Sequence, residues 1–111
     1  MPSISDWVAL AYDNACSKGF HDEDRGIPES VALMHSELSE LLEEHRAGRG
    51  PTEIYERPEK PGKPEGIPIE LADLVIRAFD FAGKHGIDLE AAIARKHAYN
   101  TTRPRKHGKV C

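Results

Sequence analysis

Glu37 and Glu40 lie three residues apart, and Glu70 and Asp73 repeat that spacing further along the chain. On a helix, side chains three apart project from the same face. Glu37 sits one turn from Leu33 on one side and one turn from Leu41 on the other, so it interrupts an apolar ladder. Glu70 and Asp73 share a strip with Arg77 and Asp80. Leu74 and Phe81 bracket that strip on one side, Ile69 and Ile76 on the other. Carboxylates crowded into a half-dry place repel one another and resist ionisation. A hard divalent cation with oxygen ligands removes the conflict, and Mg²⁺ typically keeps several waters and substrate phosphates as well. The four acids therefore read as a divalent-metal site. The competing reading is a solvated row of helix acids paired to Lys or Arg, yet Arg46 is the only such base between Pro28 and Arg46.

Other metal patterns fit less well. Glu-x-x-His, the ligand pair of di-iron bundles, occurs nowhere in the chain, and neither does His-Glu-x-x-His. His21-Asp22 has the look of the metal dipeptide of helical HD phosphohydrolases. Those need a further ligand His upstream, and none precedes His21. The dipeptide reads as loop polarity.

Four helical stretches would position the acids. The first spans about 3–18, with Ile4, Trp7, Val8, Ala11 and Ala15 on one face, and Gly19 as its stop. The second spans about 28–46, with Pro28 in its first turn and an apolar stripe of Val31, Met34, Leu38, Leu41 and Leu42. Residues 48–66 carry Pro51, Pro58, Pro61, Pro64 and four glycines, which excludes a helix there. A loop of that length in a small domain is functional or mobile, and a short ordered piece is expected around Ile54-Tyr55. The third helix spans about 67–84, with Pro68 in its first turn and Gly86 beyond its end. The fourth starts from Asp88 as N-cap and runs to about Asn100, ahead of a basic tail, 101–111. Nothing alternates as a strand would, so the chain reads as one all-α domain of about four helices. The third helix is apolar over most of its circumference, more than a chain of this size can cover, which predicts completion of the bundle by oligomerisation.

Composition is that of an ordinary globular chain: 111 residues, 39% apolar and 31% charged. No apolar run approaches the ~20 residues a membrane helix needs, and the N-terminus has no signal-peptide pattern, so a cytoplasmic protein is expected. Cys16 and Cys111 stand apart from each other and from any ligand spacing. Cys16 reads as a small apolar residue rather than half of a disulfide. The net charge of −4 conceals an asymmetry. From Arg95 onward there are six Lys/Arg and no acid, so the preceding 94 residues carry −10. A basic tail on an acidic body suits a phosphorylated ligand or nucleic acid, or is simply solvated.

The segment Met34-His-Ser-Glu-Leu-Ser-Glu-Leu-Leu-Glu-Glu-His-Arg46, followed by Glu70-Leu-Ala-Asp-Leu-Val-Ile-Arg77, resembles the E-x-x-E…E-x-x-D signature of the MazG-like, all-α nucleoside triphosphate pyrophosphohydrolases. The likeness extends through Gly19-Phe20, Gly86-Ile-Asp-Leu-Glu90, Lys96-His-Ala-Tyr-Asn100 and Arg103–Lys109, and so covers nearly the whole chain. The Pro-rich insert departs from the usual pattern and is similar to that of small phage and actinobacterial members. The resemblance implies a homodimer or homotetramer that hydrolyses a (d)NTP to (d)NMP and pyrophosphate with Mg²⁺ or Mn²⁺. It implies Glu37, Glu40, Glu70 and Asp73 as metal ligands and catalytic residues, and Lys96, Asn100 and Arg103 as residues that face the nucleotide.

In that chemistry the ions polarise phosphate oxygens and acidify the attacking water. A carboxylate, Glu40 or Glu37, orients or deprotonates it. Lys96, Arg103 and then Lys106 or Lys109 offset the charge of the departing pyrophosphate. Asn100 reads equally as a base or ribose contact and as a helix C-cap. Trp7 reads as core rather than a stacking platform, Tyr55 and Tyr99 stay undecided, and Asp80 reads as a salt-bridge partner. Glu43 and Glu44 read as solvated, with Glu44 near enough to Glu40 to assist a second ion. Two other classes compete: a nucleic-acid-binding or regulatory module built on the tail, and a catalytically silent helical assembly protein. The acidic body and the lack of a helix-turn-helix argue against nucleic acid, and the full set of four acids argues against a silent protein.

Overall fold

Ser3 opens the first helix through a capping box: its hydroxyl accepts from the Asp6 amide (3.1 Å), and the Asp6 carboxylate accepts from the Ser3 amide (2.9 Å). The structure, a computed structural model, describes residues 1–108. Helix α1 (Ile4–Ser17) is followed by α2 (Ile27–Arg46), α3 (Ile67–His85), α4 (Leu89–Thr101) and a 3₁₀ turn over Arg105–Gly108. Pro28 and Pro68 occupy first turns, where a missing N–H costs nothing. Gly86 ends α3 in the left-handed conformation (φ 65°), and Asp88 caps α4 by accepting from the Ala91 amide (3.0 Å). Among the described residues the only β-type pairing is one isolated antiparallel bridge, Tyr55 with Glu65. The protein is a small all-α bundle, and no helix is long and apolar enough to cross a membrane.

Helix α3 is the centre of the bundle and packs against both α1 and α2. Its contact with α1 is close because Gly83 faces Tyr12. A Cβ at Gly83 would lie 2.5 Å from the Tyr12 Cβ and 3.4 Å from the Val8 carbonyl oxygen. Gly83→Ala is therefore expected to destabilise the fold by about 2 kcal/mol through overpacking, read as a lower urea midpoint at unchanged slope. Helix α4 packs against α1, where the Ser5 amide donates to the Glu90 carboxylate (3.3 Å).

The isolated chain buries little. Ala15 and Ala82 are its only buried apolar side chains among the described residues, and Glu37 is buried with them. Val31, Leu38 and Leu42 on α2, and Leu71, Val75 and Ile76 on α3, are all exposed. This corrects two expectations. The α2 stripe is not all core, since α3 meets α2 along the Glu37 side and leaves Leu38 and Leu42 outward. Trp7 is not a core residue either, at 44% exposure. The chain's radius of gyration is 16.6 Å, against roughly 13 Å for a compact chain of this length.

The Pro-rich segment has its own architecture. Backbone bonds join Tyr55 and Glu65 in both directions (3.0 and 2.8 Å). The Tyr55 hydroxyl donates to the Glu44 carboxylate (2.8 Å), and the Arg49 guanidinium lies 3.6 Å over the Tyr55 ring. Arg57 pairs with Glu65 (3.0 Å) and Arg49 with Glu53 (2.7 Å). Gly66 ends the segment at φ 126°, and any Cβ there would collide with the Glu53 carbonyl. The ordered piece expected near Tyr55 is thus a clasp that ties the end of α2 to the start of α3.

Candidate metal centre

Three residues per 3.6-residue turn leave a rotation of about 60° between neighbours at that spacing. That offset separates the two α2 acids. Glu37 points at α3 and is 6% exposed, whereas Glu40 lies at the rim and is exposed. On α3, Glu70 and Asp73 are both half-buried and face α2. One carboxylate oxygen from each of Glu37, Glu70 and Asp73 lies within 4.8 Å of the other two. Glu40 is not in that triad. It stands beside Glu70, close enough for the two carboxyls to share a hydrogen bond when one is protonated.

The electrostatics follow from this crowding. Burial, then the Glu40 carboxyl, then the charges of Asp73 and Glu37 push the Glu70 carboxyl up to about 7. Burial and the Glu37 charge raise Asp73 as well, opposed by Arg77 and Lys63. Arg77 Nε donates to Glu37 Oε1 (2.8 Å), which meets half of that buried carboxylate's needs. The second oxygens, Glu37 Oε2 and Glu70 Oε2, are buried with no hydrogen-bond partner among the described residues. Orphaned buried carboxylate oxygens are costly, and they are hard donors of the kind Mg²⁺ and Mn²⁺ take. The donor set fits such an ion.

Arg77 had no assigned role in the sequence reading, and its pairing with Glu37 restores part of the ion-paired alternative. Its place one turn beyond Asp73 was the available signal. Lys63 was missed because it belongs to the Pro-rich segment, whose path depends on the Tyr55 clasp. Glu44 is engaged by Tyr55, and Glu43 pairs with Arg46 at the surface (2.8 Å). Asp80 has a partner across the bundle, His21 (Nε2 to Oδ1, 2.7 Å), and the contact is an ion pair whenever the imidazole is protonated. His21 is therefore more than loop polarity, since its ring also packs on Tyr12 (centroids 5.3 Å apart).

Lys96, Asn100 and Arg103 are not brought to the acids within one chain. Lys96 and Asn100 line an exposed face of α4 with Leu89 and Ile93. Lys96 and Arg103 lie over the Tyr99 ring at 4.9 and 5.6 Å. Asn100 is inside α4, and the C-cap is Thr102, two residues further on, so Asn100 does not cap the helix. Lys106 is in the 3₁₀ turn, and Lys109 lies outside the described residues.

A cavity of about 240 Å³ opens beside the acids. Glu37 and Asp73 line it together with Asn14, Phe20, Ile76 and Arg77. No protein-family model, curated protein or solved structure matches the chain.

Proposed function

We propose that the protein is a divalent-metal-dependent nucleoside triphosphate pyrophosphohydrolase that works as a homo-oligomer. The observation that carries this reading is the convergence of Glu37, Glu70 and Asp73 with two of their oxygens buried and unpartnered among the described residues. The motif likeness to MazG-like enzymes supplies the reaction. Glu37, Glu70 and Asp73, with Glu40 at the rim, would hold Mg²⁺ or Mn²⁺. A bound ion of this kind polarises phosphate oxygens and lowers the pKa of water.

The chain's own groups divide the remaining work. Arg77 holds Glu37 through one oxygen and leaves the other buried without a partner among the described residues. Glu40, exposed beside Glu70, would take the proton from water as it attacks phosphorus. The bond between the α-phosphorus and its bridging oxygen breaks, and pyrophosphate leaves. Lys96, Asn100 and Arg103 would meet the triphosphate across a subunit boundary, because α4 stands away from its own chain's acids.

Surface area supports the oligomer. The chain exposes 8276 Å², against roughly 6,100 Å² for a compact monomer of its mass. The excess is on the scale of a homodimer interface. The test is pyrophosphate release from a panel of ribo- and deoxyribonucleoside triphosphates with Mg²⁺ or Mn²⁺. Stoichiometric monophosphate and pyrophosphate are expected, with no orthophosphate and no turnover in chelator. Lack of turnover on every triphosphate, with either ion, would sink the reading.

A further inference from the structure

The Pro-rich segment does more than join α2 to α3, because it brings a cation to the acids. Backbone bonds hold Lys63 on both sides. Its amide donates to the Lys60 carbonyl (3.2 Å), and two residues on, Glu65 is held by the paired bonds to Tyr55. Gly66 then opens α3 packed against the Glu53 carbonyl, which seats the segment on the start of the helix that carries Glu70 and Asp73. The Lys63 side chain is 57% exposed, and its ammonium stands 3.9 Å from Glu65 Oε1, too far for a hydrogen bond. Glu65 is already paired with Arg57 at 3.0 Å. The three N–H donors of Lys63 are therefore open to another acceptor.

The ammonium also acts on the carboxylate cluster. Burial and the Glu37 charge raise the Asp73 carboxyl, and Arg77 and then Lys63 oppose them. Arg77 is engaged by Glu37 (2.8 Å), and Lys96 and Arg103 lie over Tyr99 on α4. Lys63 is thus the base at the acids, among the described residues, whose hydrogen bonds are not already directed elsewhere. Charge shows what such a base is for. Glu37, Glu40, Glu70 and Asp73 carry four negative charges when ionised, whereas Arg77 and one divalent ion together supply three positive ones. A polyphosphate approaching that site meets a surplus of its own sign. An exposed ammonium at the lip offsets it and donates to phosphate oxygens as well.

We infer that Lys63 is a polyphosphate-binding residue of the metal centre, carried by the Pro-rich segment of the same chain and placed to grip phosphates held by the ion. The identity of the ligand rests on the proposed pyrophosphohydrolase reading, and the test separates the two. The probe is inorganic pyrophosphate with Mn²⁺, titrated by calorimetry into the unmodified protein, Lys63→Met, Lys63→Arg and Lys60→Met. Lys63→Met is expected to weaken manganese pyrophosphate about tenfold, the scale of one hydrogen bond to a charged group. Lys63→Arg should recover most of that loss, and Lys60→Met should change nothing. Mn²⁺ alone should bind Lys63→Met at least as tightly as the unmodified protein, since a repelling charge is gone. In turnover, Lys63→Met should raise KM for the triphosphate.

Equal losses in Lys63→Met and Lys60→Met would reduce the effect to bulk charge and overturn the assignment. Weaker binding of Mn²⁺ alone to Lys63→Met would overturn it too, by making Lys63 a prop for the acids. So would an unmodified protein that does not bind manganese pyrophosphate. If the loss specific to Lys63 is seen but no triphosphate turns over, the activity fails and the polyphosphate site stands. If triphosphates turn over and Lys63→Met leaves both KM and pyrophosphate affinity unchanged, the activity stands and the assignment of Lys63 is wrong.

Discussion

Glu70→Gln is expected to make the metal-free protein more stable and, on the proposed function, to remove nearly all hydrolysis. The carboxylate sits half-buried among Glu37, Glu40 and Asp73, and that setting pushes it up to about 7. Near neutral pH a charge there is opposed by burial and by three like neighbours. A neutral amide of the same shape removes the conflict, with a gain of about 1 kcal/mol once solvent reach is allowed for. Glutamine keeps a carbonyl oxygen but loses the negative charge that would draw a divalent ion into the cluster. Hydrolysis should drop ~10²–10³-fold, the scale of removing one preorganised charge from a reacting site. Thermal unfolding in chelator, run beside the pyrophosphate assay, checks both halves. A structural acid would behave differently: its removal would lower Tm and spare turnover. Stability given up for function in this way is typical of sites that hold strained charge.

The second large effect links pH to metal. In the metal-free fold Glu70 keeps its proton up to about pH 7, whereas in the unfolded chain it releases it near 4.5. Below 4.5 both states are protonated and the group is neutral to stability. Between the two values the unfolded chain loses its proton first, so rising pH favours unfolding. Asp73, raised by burial and Glu37, adds to the same trend. Tm in chelator should therefore decline from pH 5 to pH 8, by about 4 °C for each 1 kcal/mol. Mg²⁺ or Mn²⁺ should reverse this. An ion at a hundred times its Kd stabilises by about 2.7 kcal/mol, or about 10 °C. The gain should be larger at pH 8 than at pH 6, where protons compete for the same oxygens. An ion-induced shift that is flat across this range would disconnect the cation from Glu70.

The helices were legible because their boundaries are written locally. Ser3 with Asp6, Pro28, Pro68, Gly86 and Asp88 each act within a turn of their own position, and each marks the boundary expected of it. The acid pairs were legible for the same reason, since spacing along one helix fixes relative direction. What spacing does not fix is how two helices rotate against each other. That rotation placed Glu37 inside and Glu40 at the rim, and it set Arg77 against an acid forty residues away. It also turned Leu38 and Leu42 outward. The pairing of His21 with Asp80 crosses 59 residues, and no local pattern announces it. The Tyr55 clasp lies between these cases. Composition marked the segment as non-helical, but the link to Glu44 depends on a turn geometry that four prolines and four glycines leave open.

That clasp bears on the statistics of the chain. A flexible tether between two ligand-bearing helices lets them drift apart, and the chance of finding all the acids together falls with its length. Tyr55, fastened to α2 by its hydroxyl and to Glu65 by its backbone, cuts the tether into short closed turns. The acids of α2 and α3 therefore stay at high effective concentration with respect to one another even when no cation links them. On the proposed metal-binding reading, a cation would meet a gathered set of oxygens, and its capture would not wait for two helices to find each other.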